Sequence, residues 1–302
     1  MRTVIALMVG LALAAGSAQA ADAVRVGSKL DAESGLLGSM IFQVLQANGI
    51  PVENKIQLGP TKIVRSALLA GEIDVYPEYT GNGAFFFNMD KDPAWKSAGA
   101  GYEKVRQLDR EKNNIVWLKP APANNTWAIA VRGDVAAPNG LKTMEDFSKW
   151  VGSGGKAKIA ASAEFVESPA ALPSFQITYG FALLPEQILV LAGGDTAATI
   201  RAAAEGTSGV NTAMVYGTDG AISALGLVVM EDTKGAQMVY EPAPTVRASV
   251  LDAHPKIREA LEPVFASLDA ETLRGLNARI SVEGQDIAQV ATSYLTSKGF
   301  LK

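Results

Sequence analysis

Cysteine is absent from the 302 residues, and histidine occurs once. Without cysteine there is no disulfide scaffold, no iron–sulfur cluster and no thiol nucleophile. Nor is there a cysteine to carry a lipid anchor. The single histidine, His254, precedes Pro255 at an expected helix start, so the chain supports neither a zinc site nor a Ser–His–Asp triad. Basic charge is scarce: 27 Lys and Arg stand against 31 Asp and Glu. That mild acidity leaves no electrostatic footprint for nucleic acid or an anionic membrane. Beyond the first twenty residues, no apolar run approaches the roughly 20 residues of a membrane helix. Internal repeats and low-complexity segments are also missing.

The first apolar run is of another kind. "VIALMVGLALAAG" follows Arg2 and leads into "SAQA", where Ala18 and Ala20 fit a signal-peptidase site. Residues 1–20 read as a secretory signal cleaved after Ala20. Without Arg2 the mature chain carries 26 basic and 31 acidic side chains, a net charge of about −5. Export without tether or disulfide points to a soluble protein of a Gram-negative periplasm.

What is present alternates strand and helix. "AVRVGSKL" reads as a strand, and "GLLGSMIFQVLQANGI" carries Leu36, Leu37, Ile41, Val44 and Leu45 at helical spacing. "PVENKIQLG", "TKIVRSALLAGEI" and "IDVYPEY" continue as strand, helix and strand, with Pro77 expected to break the ladder. This is the βαβ pattern of a mostly parallel sheet. "TWAIAVRGDV", "KAKIAASAEF" and "VNTAMVYGTDGAIS" supply further strands, and "EQILVLAGG" a strand or helix. "TMEDFSKWV" is a short helix with Thr143 as cap and Asp146 completing a capping box, and "GGDTAAT" opens another helix capped at Asp195 or Thr196. The tail from Val250 to Phe300 reads as two or three helices. "APANN" and "VVMEDTKGAQMVY" are the expected crossings between two lobes, the first made of residues 21–124 and 233–302, the second of residues 125–232.

In open α/β sheets, ligands bind beyond the carboxyl ends of the strands. Those ends are rich in aromatics, amides and hydroxyls here: Ser28-Lys29, Tyr76 to Asn82, Asn124 to Trp127, Tyr216 to Asp219, and Tyr240. A tyrosine taken alone is ordinarily core or a partly buried surface residue. Yet of seven tyrosines, Tyr76, Tyr79, Tyr216 and Tyr240 lie beside prolines or glycines at expected strand ends. Several electron-rich faces around one point suit a cation with no N–H to donate, each contact being worth about 0.5–2 kcal/mol.

The stretches "VGSK", "GEIDVYPEYTGN", "WLKPAPANNTWAIAV", "SAEF", "GVNTAMVYGTDG" and "YEPAPTVR" resemble the periplasmic glycine betaine/choline-binding proteins of osmoprotectant ABC importers. The resemblance covers nearly the whole mature chain. It implies a two-lobed type II periplasmic-binding-protein fold of class α/β, each lobe a mostly parallel sheet flanked by helices with the ligand cleft between them. It implies no cofactor, a monomer, a quaternary-ammonium ligand, and an ABC permease with its ATPase as partners. The aromatic cage of the family would fall on Tyr79, Trp127, Tyr216 and Tyr240. Lys29 matches a residue that touches the ligand carboxylate, while Thr80, Asn82 and Asn125 complete the site. Relatives commonly carry arginine in an "EFxxR" pattern; here "EFVES" puts Ser168 there, exchanging a bidentate charged contact for a hydroxyl. The N–H groups of the helix opened by "GGDTAAT" offer a substitute anion site.

Two rival readings remain at this level. One keeps the fold and takes another small zwitterion such as an amino acid, whose ammonium needs a buried acid in place of an aromatic box. The other is an enzyme: Ser153-Gly154-Gly155-Lys156 fits an SxxK pattern, though it lies in a glycine-rich loop where chance explains it. "VGSKLDAES" lacks the glycine pattern of a dinucleotide site.

Overall fold

Val24 and Val26 alternate as expected and open strand β1 (Val24–Lys29). The computed structural model describes residues 23–191 and 196–301. The signal segment and Asp195, with the glycine turn before the Thr196–Glu205 helix, lie outside them. The chain then forms β2 (Val52–Gly59), β3 (Val75–Tyr79), β4 (Ile115–Trp117), β5 (Trp127–Arg132), β6 (Ile159–Ser162), β7 (Ile188–Leu191), β8 (Thr212–Tyr216), β9 (Leu227–Val229) and β10 (Pro242–Arg247). They build two five-stranded sheets, ordered β2-β1-β3-β10-β4 and β7-β6-β8-β5-β9. In each sheet one strand runs against the others: β10 is antiparallel to β3 and β4, and β5 to β8 and β9. The sheets are therefore mixed, each with parallel pairs on one side of a single reversed strand.

That reversal decides which strand ends share an edge. Parallel strands such as β3 and β8 arrive at the edge with their carboxyl ends, Tyr79 and Tyr216. The reversed strands present their amino ends at the same edge. Trp127, the first residue of β5, sits opposite Tyr216, and Pro242, the first of β10, sits opposite Tyr79.

Pro77 does not end β3. It pairs with Pro244 of β10, and the strand runs on to Tyr79. Thr80 donates its N–H to the Glu241 carbonyl at 3.0 Å. Since hydrogen-bonded pairs alternate along an antiparallel ladder, Pro77 falls at a non-bonded position toward β10. Its other side faces β1, whose pairing with β3 is confined to Val26 and Val75. A proline without N–H costs nothing there.

Helix Ala32–Ala47 follows β1, started by the Asp31 carboxylate accepting the Ser34 N–H. It buries Leu36, Leu37, Met40, Ile41, Val44 and Leu45 against the first sheet. At about 1.5–3 kcal/mol for each large apolar side chain buried, that face contributes the bulk of the local stability. The tail supplies four helices among the described residues: Ala248–Ala253, Lys256–Ala266, Ala270–Ser281 and Ile287–Ser297. Most of their apolar residues join the same core. A second core, centred on Phe147, Phe165 and Phe175, lies in the other lobe. Helix Met144–Gly152 carries the capping box, with Asp146 N–H to Thr143 and Thr143 N–H to Asp146. Among the described residues, no helix is long and apolar enough to cross a membrane.

The chain passes between the sheets twice, after β4 and after β9. The two passages run together. Tyr240 donates its N–H to the Asn124 side chain at 2.8 Å, and Asn125 donates its N–H to the Tyr240 carbonyl at 2.9 Å. Away from them, a second meeting of the lobes brings helix Gly220–Ala224 onto helix Ala270–Ser281, where any side chain at Gly220 would strike the backbone of Asn277 and Ala278.

Candidate ligand-binding site

Tyr79, Asn82, Asn125, Tyr216 and Tyr240 line one cavity of about 350 Å³ between the lobes. Beside it, a larger cavity of about 840 Å³ is lined by Trp127, Ser168 and again Tyr240. Trp127 and Tyr216 join the two. Their rings stack at 6.3 Å between centroids and 21° between planes, which follows from their cross-strand pairing. At that spacing no methylated ammonium fits between them; they form one wall. Phe165 braces Trp127 edge-on at 5.9 Å.

Tyr240 owes its position to a glycine. A Cβ at Gly81 would lie 2.7 Å from the Tyr240 ring and 2.8 Å from the Val239 carbonyl, so the ring and its backbone approach the "YTG" turn closely. Gly217, next to Tyr216, lets the end of β8 approach the first passage, because a Cβ there would strike the Asn124 carbonyl. Burial pushes the Tyr240 hydroxyl up to about 12, helped by neighbouring Tyr216. Tyr79 is also raised well above the ordinary phenol value, by burial first and then by Glu33. Both rings are neutral phenols around pH 7.

Glu78 is a buried hub behind Tyr79. Its Oε1 accepts from Lys29 Nζ at 2.6 Å, Asn82 Nδ2 at 2.7 Å and the Tyr79 N–H at 2.7 Å. Its Oε2 accepts from the Tyr76 hydroxyl at 2.9 Å. Lys29 Nζ also lies 4.4 Å from the centre of the Tyr79 ring. Lys29 therefore serves Glu78 and one face of Tyr79, and it lines neither cavity. In this structure the strand-end lysine expected to touch a ligand carboxylate is the buried partner of Glu78. The Thr80 hydroxyl donates to the Val239 carbonyl and accepts the Glu241 N–H, tying β3 to the second passage. Ser168 caps helix Ala163–Glu167 and borders the larger cavity. The SxxK serine, Ser153, donates to the Trp150 carbonyl at 3.0 Å outside both cavities.

The sequence did not single out Glu33, which lies in the first turn of helix Ala32–Ala47 and lines the smaller cavity. It accepts from the Tyr79 hydroxyl at 2.6 Å, Asn277 Nδ2 at 2.6 Å and Asn125 Nδ2 at 3.2 Å. Burial raises its carboxyl; hydrogen bonds from Thr218, Tyr79 and Asn277 pull it down without cancelling that rise, and Asp31 adds to it. The signal in the sequence was faint: an acid just inside a helix that opens directly after a strand end. Asn277 comes from the C-terminal region, more than 240 positions away, and carried no signal at all.

A family model described as the substrate binding domain of ABC-type glycine betaine transport system matches residues 22–297. The chain belongs to this family. It is 58% identical over 284 residues to the glycine betaine-binding protein YehZ of Escherichia coli (strain K12), covering 94% of this chain and 93% of that protein. It is 31% identical over 288 residues to a glycine-betaine-binding protein of Pseudomonas aeruginosa, covering 93% and 89%. The solved structure of apo YehZ matches with a TM-score of 0.90 at 58% identity, covering 93% of this chain and 100% of that one. The two mixed sheets flanked by helices are the two-lobed periplasmic-binding-protein fold of this family.

Proposed function

We propose that this protein captures a quaternary-ammonium osmolyte, glycine betaine or a close relative, in an aromatic cage and delivers it to an ABC importer. The cage is Tyr79, Tyr216 and Tyr240, with Trp127 stacked behind Tyr216. The observation that carries this reading is that rings from both sheets and from one passage between them border a single cavity. Lobe closure brings Tyr216 toward Tyr79, and each ring face that meets the cation contributes about 0.5–2 kcal/mol. Three such faces are compatible with micromolar affinity, about −8 kcal/mol, after the cost of association. Asn82 and Asn125 orient the ligand, and Ser168 offers a neutral hydroxyl toward its far end.

The protein acts as a monomer in the periplasm after cleavage behind Ala20, with a permease and its ATPase as partners, and it binds without catalysis. The lobes are residues 21–124 with 233–302, and residues 125–232. A second reading, a zwitterion that keeps its N–H groups, draws on the Oδ1 atoms of Asn125 and Asn277, buried without a partner in the structure. Calorimetry with glycine betaine, choline, dimethylglycine and glycine separates the two. The cage requires affinity to fall as methyl groups are removed; a rise toward glycine overturns it.

A further inference from the structure

The cavity bordered by Tyr79, Tyr216 and Tyr240 is acidic. Asp31, Glu33 and Asp219 line it, and among the described residues no lysine or arginine does. Glu33 is the buried member, 6% exposed. The protein's own donors occupy its lone pairs: the Tyr79 hydroxyl and Asn125 on Oε1, Asn277 on Oε2. An ammonium with N–H groups would have to compete with those donors. A fully methylated one makes no such demand, because it needs only the charge, which acts through space.

The geometry points to Glu33 as the counter-charge of the cage, the carboxylate that compensates the ligand's cation from behind the Tyr79 ring edge. The inference rests on the cage reading and adds a residue to it. The charged and titratable groups around Glu33 agree. Asp31 caps its own helix. Asp219 borders the cavity from the other lobe. Arg274, one turn from Asn277, donates Nε to the Gly217 carbonyl at 2.8 Å. Lys29, on the Tyr79 face, is bound to Glu78. Among the described residues no lysine or arginine forms a salt bridge with Glu33, and the arriving ligand supplies the cation.

The Glu33 carboxyl titrates above the ordinary range because it is buried, despite its hydrogen bonds. A cation placed beside it favours the ionised form and lowers that pKa. Binding then releases protons at pH values between the bound and free pKa, and affinity rises with pH across that interval.

The test uses tetramethylammonium and choline, which carry no group titrating at mildly acidic pH. Calorimetry in two buffers of different ionisation heat measures protons released on binding to the unmodified protein, and release in the acid range is expected. Glu33→Gln should abolish it and weaken choline binding by about tenfold. The same variant should shrink the preference for choline over its neutral isostere, in which a quaternary carbon replaces nitrogen. Glu33→Asp should restore part of that preference. If Glu33→Gln keeps the full preference, or the unmodified protein releases no proton while binding choline, the inference falls and the cage stands. If the unmodified protein binds no methylammonium compound, cage and counter-charge fall together. Should Glu33→Gln not fold, proton release by the unmodified protein decides alone.

Discussion

Tyr79 is held at three points, and together they fix the ring face that the proposed cage would present to its ligand. Its hydroxyl is tied to Glu33, its N–H to Glu78, and one face is covered by the Lys29 ammonium. A ring already ordered loses little entropy on binding. Tyr79→Ala and Tyr216→Ala should each reduce glycine betaine affinity by a factor of about 2–30, the equivalent of one cation–π contact. Titration calorimetry reads the change, and unaltered affinity in both variants would remove the cage. Gly81→Ala is the subtler probe, since its Cβ would displace the Tyr240 ring without deleting any aromatic. Affinity should fall as if Tyr240 itself were lost, while Tyr240→Ala added to Gly81→Ala should cost little more.

At the level of elements, local stability and ligand binding come apart. The box closing helix Met144–Gly152 lies in the second lobe, and its residues line neither cavity. Thr143→Ala should cost about 1 kcal/mol of stability in chemical denaturation and leave ligand affinity unchanged. Gly220→Val should do the reverse. The glycine opens helix Gly220–Ala224 where it meets the backbone of helix Ala270–Ser281, so a branched side chain there wedges the lobes apart. Each lobe keeps its own core, and circular dichroism should stay native while affinity drops sharply. Native affinity in that variant would show the helix contact to be dispensable for closure.

For the whole molecule, stability is linked to ligand and to pH. Binding to the folded state alone stabilises it by about 2.7 kcal/mol at roughly 100 times Kd, visible as a rise in melting temperature. Trp127 is half-buried and stacked on Tyr216, so its fluorescence should change when the lobes close on a ligand. Acid acts through Asp74, at the opposite end of β3 from the cleft. Burial pushes its carboxyl up, but bonds from the Arg25 guanidinium and backbone, and from Arg247, outweigh burial and hold it below the usual range. A depressed carboxylate contributes stability that is complete above the unfolded pKa of about 3.9 and lost as pH falls below it toward the folded value. Asp74→Asn should therefore flatten the acid limb of the unfolding curve recorded below about pH 4.

Alternation around Val24 and Val26, helical spacing from Leu36 to Leu45 and the Thr143–Asp146 box were legible because each obeys a local period or a contact within a few residues. The aromatics flanking glycines at strand ends were legible for the same reason, and so was the family through its motifs. What proximity in the chain could not convey was decided by tertiary packing. The reversed strands β5 and β10 bring Trp127 and Tyr240 to the edge where β3 and β8 end. Burial pairs Lys29 with Glu78, because an ammonium removed from water must find a carboxylate. Glu33 acquires its donors from Tyr79, Asn125 and Asn277, which lie 46, 92 and 244 positions away along the chain. Periodicity is a property of neighbours, whereas the surroundings of a buried charge are set by whatever the rest of the chain places around it.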